Sequence, residues 1–425
     1  MEAMQEHKPG QTRLRWAQAG AAAALWCLPA LVLTLPRGLL PFGLLVLATT
    51  VLVPRQMLAA VRLIGWRWWL AATAVVVPLL VVAVSIRLGG ALHGLDGPSR
   101  WFGLPWLMAW AWALQPPREM LWRGALVGLV AAAALALVQV LGGEARPGAW
   151  VHPIVFANVV LALMGLVVFC RPLRSWPWPG LGLVLGTLAI LLSGTRGVWP
   201  GLGLLWLVLM LGSGWRSRRS RILLAGALVV AGIVALASVP ALTEHTRLVE
   251  LRQDLERIDR GDHNSSAGAR LERLQVAARA VSQAPWTGVG YHQFDRAMQQ
   301  VPECRGEAGR QVERCHYGHA HNDLAEWAAT MGIPGVLALG LLYGVPLGLF
   351  LWLRPGIGPG PLRGAASAGA MVVAVFMLGG MTQSMFAHQT TAAVYAALCG
   401  LLLGLALREA GRCARDDGPG VSTKV

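Results

Sequence analysis

The chain has 425 residues and a net charge of +15, with 55% hydrophobic residues, only 13% charged residues and a mean hydropathy of +0.54. A soluble domain carries about 25% charged residues, so this composition excludes an ordinary soluble globular protein and fits a chain solvated mostly by lipid. In a soluble chain the positive balance would suggest nucleic acid; here the basic residues lie mostly in short loops between apolar runs, where they set topology instead.

A membrane-spanning helix needs about 20 apolar residues. On that rule twelve runs qualify: 17–36, 38–54, 68–86, 101–115, 120–141, 151–170, 179–194, 197–213, 222–242, 326–353, 365–387 and 391–407. Lys8, Arg13 and Arg15 before an Ala/Leu run resemble the start of a secretory signal, but that run is long and many others follow, so a retained first span is expected. Trp66, Trp68, Trp69, Trp101, Trp106, Trp176, Trp178 and Trp215 fall near run ends, where indoles favour the membrane interface. The fold class expected is an all-α polytopic membrane protein of about twelve transmembrane helices with one long helical loop on the outer side. The domain plan is nine helices over 1–242, a loop domain over 243–320, helices ten to twelve over 321–407 and a tail over 408–425. No residue-level repeat is found.

Basic residues favour the cytoplasmic side of short loops. Twelve spans place 20 of the 36 Lys and Arg on the side holding both termini, against Arg37, Arg87, Arg100, Arg146 and Arg196 in the short loops opposite. Both termini are therefore expected in the cytoplasm. The eleven arginines of the long loop belong to a translocated domain, which is exempt from the rule.

Inside that loop, Leu248, Leu251, Leu255 and Ile258 recur at helical spacing among charges and predict an amphipathic helix. After the Gly261–Ser266 break a serine cap predicts a second helix, with Leu271, Leu274, Ala278 and Val281 as its packed face, ending at Pro285. Arg270 shares that face with Leu274, and Arg279 points away from it. Cys304 and Cys315 are the only cysteines of the loop, and a pair on an oxidising side is a disulfide candidate, with two free thiols as the alternative.

Two features suggest chemistry. Arg196 follows directly on an apolar run in Ser193-Gly-Thr-Arg196-Gly; its planar fork suits phosphate or carboxylate, against the plain alternative of an arginine snorkelling to lipid headgroups. His316, His319 and His321 crowd within six residues before Asn322, and imidazole is the usual general base near neutral pH. Their spacing could also suit zinc, but no HExxH helix is present, and Asp323 and Glu326 would serve equally well as supports; no metal is expected. His152 and Asn158 at the outer end of the sixth run, with Gln383, Ser384 and His388 at that of the eleventh, are polar groups in a membrane setting. Such groups line sites or simply join helices.

Taken in order, Ser193-Gly-Thr-Arg196-Gly, an arginine before an apolar loop helix, Pro285-Trp-Thr-Gly288-Val-Gly290-Tyr-His-Gln-Phe294, His319-Ala-His321-Asn322-Asp-Leu324 and Gly332-Ile-Pro-Gly335 resemble the O-antigen ligase and polymerase superfamily over about residues 150–340. The resemblance implies an inverting, metal-independent integral-membrane glycosyltransferase of the bacterial inner membrane, without a cofactor. Its donor would be an undecaprenyl-pyrophosphate-linked glycan and its acceptor the lipid A core oligosaccharide, joined at the periplasmic face. It maps the phosphate-side arginines onto Arg196 and Arg270 and the essential histidine onto His321, with His316, His319, Asn322, His152 and Asn158 expected around the substrates. A polymerase, which differs only in acceptor, and a protein oligosaccharyltransferase are the alternatives within the superfamily. A lipid-linked sugar transporter is the alternative of another class, although the polar residues gather at one face and no two halves look alike.

Overall fold

The computed structural model describes residues 9–172, 177–211, 266–305, 318–353 and 364–416, together with Glu256, Arg260 and Cys315. Among them every regular element is helical. The longer ones are α1 (Pro9–Leu31), α2 (Leu39–Leu52), α3 (Pro54–Ile64), α4 (Trp66–Arg87), α5 (Gly103–Leu114), α6 (Glu119–Leu141), α7 (Pro153–Phe169), α8 (Pro177–Leu192), α9 (Trp199–Leu211), α10 (Ser266–Gln283), α11 (Phe294–Met298), α12 (Asp323–Leu353), α13 (Ala365–Gly380) and α14 (Gln389–Asp416).

Eleven of the twelve expected apolar runs fall on helices, and the run 222–242 lies outside the described residues. Length and composition suffice for a membrane crossing in four of them, Trp66–Arg87, Glu119–Leu141, Asp323–Leu353 and Gln389–Arg412. The run expected over 38–54 instead leads into α3 through a bend of 92°. Pro54, which has no N–H to continue the hydrogen-bond ladder, stands at the first position of the new helix. Apolar helices such as α7 and α13 are shorter than a full crossing.

Burial separates centre from periphery. From Ile154 to Phe169 every residue of α7 is buried, as expected of a helix that is apolar all round. It is packed by α6, α8 and α13, and α14 lies along α5. Leu44, Leu47, Val51, Leu80, Val84, Val138 and Leu337 are exposed on outer faces, which suits contact with lipid. A second, smaller core joins Val276, Ala277 and Ala280 of α10 to Phe294, Ala297, Met298, Cys304, Cys315 and Ala329.

That second core corrects the expected packing of α10. Leu271 and Leu274 are 38% and 42% exposed, whereas Arg273, Val276, Ala277 and Ala280 are at most 3% exposed. The small side chains of Ala277 and Ala280 let α10 sit close on Ala325 and Ala329 of α12, which leucines would hold away. The helix expected around Leu248–Ile258 lies outside the described residues.

The two glycine motifs of the sequence lock together. Gly332 breaks α12 with φ +65°, and Pro334 has no N–H, so the carbonyls of Ala329 and Thr330 are freed from their helical partners. Val289 N–H and Gly290 N–H donate to those carbonyls at 2.9 and 3.0 Å, and Ile333 N–H donates to Pro285 O at 2.7 Å. A Cβ on Gly332 would stand 2.3 Å from Pro285 O, so glycine is required for this junction.

Candidate functional site

The eleventh expected run, 365–387, ends as a helix at Gly380, and the chain then folds through a turn to α14. Polar side chains pack directly beneath Gly379 and Gly380. An added Cβ would meet the Asn158 amide at 2.5 Å in the first case and the Asp323 carboxylate at 2.4 Å in the second. Asp323 Oδ2 accepts from Tyr343 OH at 2.8 Å, and its Oδ1 accepts from Phe386 N–H at 3.3 Å, which anchors the turn Met385–Ala387. The turn thereby frees Gln383 and His388 from a helix and directs them at the segment before α12.

That segment is built to present histidines. Asn322 caps α12, its Oδ1 accepting from Ala325 N–H at 2.9 Å, and its Nδ2 donates to Met381 O at 2.9 Å. Glu326 Oε2 accepts from Ala320 N–H at 2.6 Å. Between them His321 is held at φ +55°, a left-handed conformation uncommon for a residue with a Cβ. Such local strain concentrates at functional sites.

His321 Nδ1 is hydrogen-bonded to Gln383 Oε1, and Gln383 Nε2 to His388 Nε2 at 2.7 Å. The amide oxygen accepts only, so Nδ1 of His321 carries the proton and its Nε2 keeps the lone pair. The His388 ring stacks on that of His152 with centroids 5.9 Å apart, and His319 meets His321 edge-on at 4.4 Å and His388 at 5.6 Å. Four imidazoles from three separated parts of the chain thus form one cluster.

The cluster is held neutral. Burial, followed by the charges of His319, Arg273 and Arg270, pushes His321 down to about 3, partly opposed by the Gln383 hydrogen bond. Burial and then His319 and His152 lower His388 to about 4. His319 and His152 are also lowered, in both cases chiefly by burial. Among the described residues no three His, Cys, Asp or Glu side chains are arranged to hold a metal ion.

Of the residues singled out in the sequence, the fold brings His321, His319, His152 and the charge of Arg270 together. Arg196 is half-buried in a 3-10 turn, Arg196–Val198, next to Gly194 at φ +62°. Gly197 O of that turn accepts from Thr382 Oγ1 at 3.3 Å, and Thr382 adjoins Gln383. Asn158 is fully buried against Gly379, and Asn322 is engaged at both ends of its amide. His316 lies outside the described residues. Cys304 and Cys315 form a disulfide, Cα atoms 5.5 Å apart, in the second core.

Two contributors escaped the sequence reading. Arg273 is 3% exposed and acts on both His319 and His321; its signal was the three-residue step from Arg270 along one helix face. Gln383 stood out in the sequence only as a polar group at a span end, because nothing local marks it as a partner of His321.

Fold and site together define a helical protein of membrane type in which an imidazole cluster lies within the electrostatic reach of buried Arg273 and half-buried Arg270 near one end of its helices. Residues 181–340 match a family model described as O-antigen ligase, a stretch that includes Arg196, Arg270, Arg273 and His321, and the resemblance drawn from the motifs holds over that range. An uncharacterized protein of Haemophilus influenzae is 26% identical over 171 residues, 40% of this chain and 42% of the relative, so the match spans less than half the length of that protein.

Proposed function

We propose that the protein is an O-antigen ligase that moves a polysaccharide from undecaprenyl pyrophosphate to a sugar hydroxyl of the lipid A core, at the periplasmic face of the inner membrane. The observation that carries this reading is the hydrogen bond from His321, which lies in the segment matched by the O-antigen ligase family model, to Gln383 beyond that segment. It leaves a neutral imidazole nitrogen to accept a proton beside cationic Arg270 and Arg273.

The step balances with these groups. The acceptor hydroxyl oxygen attacks the anomeric carbon, its proton passes to His321 Nε2, and the bond from that carbon to the diphosphate oxygen breaks with its electron pair on the leaving lipid diphosphate. Attack opposite the leaving group inverts the centre. Arg196, Arg270 and Arg273 would neutralise the diphosphate, as preorganised cations do at developing charge. Burial is the chief cause of the low His321 value, and a bound dianion would offset the smaller part that comes from Arg273 and Arg270, so the base strengthens in that measure when donor is present. With both termini in the cytoplasm, the basic loops and the site fall on opposite faces.

The test is transfer by purified protein from undecaprenyl-pyrophosphate-linked glycan, with lipid A core or a second lipid-linked glycan as acceptor and a chelator present. Product on lipid A core supports the ligase. Elongated lipid-linked glycan makes the protein a polymerase, and no product with either acceptor from folded protein returns the transporter reading.

A further inference from the structure

The histidine segments lead into α12 and α14 at their first turns, and the far ends of both helices meet a different set of groups. There α3 turns through 92° from α2. Its Ala60 and Ile64 are buried, with α5 packed against it, whereas Arg55 and Arg62 are exposed. An amphipathic helix set nearly at a right angle to the apolar helix before it lies in the plane of the membrane interface. Beside it a cavity of about 340 Å³ opens between α3, α4, α5, α12 and α14, with Leu63, Arg67, Trp112, Trp352, Leu407 and Gly411 in its wall. Trp66 and Trp352 are 57% and 51% exposed, as indoles at a membrane interface are. The Arg67 guanidinium stands against both, 5.0 and 4.6 Å from the ring centroids. Stacking covers the faces of a guanidinium and leaves its edge N–H groups to bind. Nε is buried, so it is the Nη end that lines the cavity. Among the described residues no carboxylate pairs with Arg67. Glu409, the acid of this part of α14, is engaged by Arg118 and by Ala365 N–H at 2.9 Å.

We propose that this cavity holds the phosphate headgroup of an anionic phospholipid, with Arg67 as the group that binds it. The site is independent of the transfer reaction. Guanidinium is weakly hydrated and matches phosphate with a planar fork, and the two indoles fix where that fork stands. Basic pockets between helices at a membrane face take anionic headgroups. By the share of volume a liquid water takes, the cavity has room for about eleven waters, enough for a phosphoglycerol group. Leu63, which is 68% exposed, and Trp352 offer apolar surface to the glycerol backbone and first methylenes of a lipid; a free phosphate would leave that surface in water. A zwitterionic headgroup would bring its own ammonium towards Arg67, and like charges repel. On the orientation proposed above, the lipid belongs to the cytoplasmic leaflet.

The experiment is native mass spectrometry of the full-length protein in detergent, with phosphatidylglycerol and phosphatidylethanolamine supplied at equal concentration. Wild type is expected to retain phosphatidylglycerol about tenfold more often than phosphatidylethanolamine, the worth of one charge-assisted hydrogen bond. Arg67→Gln should lose that preference. Arg87→Gln, in the last turn of α4 at its other end, should keep it. Gly411→Leu, whose side chain has open space to enter, narrows the cavity and leaves the arginine in place. It should also lower retention of phosphatidylglycerol, and it serves if Arg67→Gln proves unstable on heating. Equal retention of the two lipids by wild type, or an unchanged preference in folded Arg67→Gln, overturns the site. Displacement of phosphatidylglycerol by millimolar inorganic phosphate overturns the lipid as occupant and makes the cavity a site for a soluble anion.

Discussion

Nδ1 of His321 donates to Oε1 of Gln383, a contact between residues 62 apart in the chain. It puts the proton on Nδ1 and leaves Nε2 as the basic nitrogen, and His388 at 2.7 Å from Gln383 Nε2 engages the other end of the amide. A group that fixes the tautomer of a reacting histidine acts by positioning, and loss of such partners costs about 10–100-fold at comparable sites. Gln383→Ala is therefore expected to lower kcat by about that factor with both KM values little changed. Gln383→Glu, whose carboxylate can accept the same proton, should recover most of the rate. Equal rates for wild type and Gln383→Ala would remove the positioning role.

The arginines are expected to separate by face. Arg196→Ala, Arg270→Ala and Arg273→Ala should each reduce kcat by about 10²–10³-fold, the cost of losing one preorganised group at a developing charge. Arg279 is exposed on the other side of α10, and Arg279→Ala should transfer at the wild-type rate. His321→Ala should abolish transfer while membrane insertion is intact. Initial rates with lipid-linked donor check all five variants.

The pH profile follows from the sign of the shifts. An imidazole held at about 3 stays neutral in free enzyme far below the usual value near ~6.5. The acid limb of kcat/KM is therefore expected well below pH 6 instead of near neutrality. Arg270 and Arg273 both lower His321, so Arg270→Gln or Arg273→Gln should move that limb upward. An acid limb that stays in place in both variants would show that His321 is not the titrating base.

Acid should also loosen the cluster. His152, His319, His321 and His388 are all lowered in the folded protein, so the unfolded chain binds more protons as pH falls below its ordinary histidine value. Thermal stability is expected to decline between about pH 6.5 and 4. The decline should be smaller in His388→Gln, followed by Tm in detergent across that range.

The lobe that carries α10 depends on its crosslink. Cys304→Ser should destabilise the second core by about 2–4 kcal/mol, typical of a lost disulfide. In wild type, thiol alkylation should find neither cysteine of the loop reactive until reductant is added. At the junction with α12, Gly332→Ala meets both a left-handed φ and the Pro285 carbonyl. It should lower Tm and expose the 285–290 segment to protease.

Particular residues show how far one-dimensional reading reaches. Arg196, Arg270 and His321 lie in local motifs, and His152 and His388 were marked as polar groups in apolar surroundings. Leucine spacing points to the wrong face of α10, because close approach to α12 selects alanine at 277 and 280. Arg273 belongs to that alanine face and is hidden from leucine spacing for the same reason.

The sequence by itself determined that the chain is helical and lipid-solvated, where its apolar runs lie, and that its arginine and histidine motifs resemble a glycan-transfer family, because hydropathy, charge and motif spacing are properties of neighbours along the chain. Only the tertiary structure decided that α13 stops at Gly380, that Gln383 meets His321 and that His388 meets His152. Those outcomes depend on contacts between distant segments, set by the Asp323 carboxylate and the Asn158 amide packed against glycines of α13, and no local pattern encodes such a meeting.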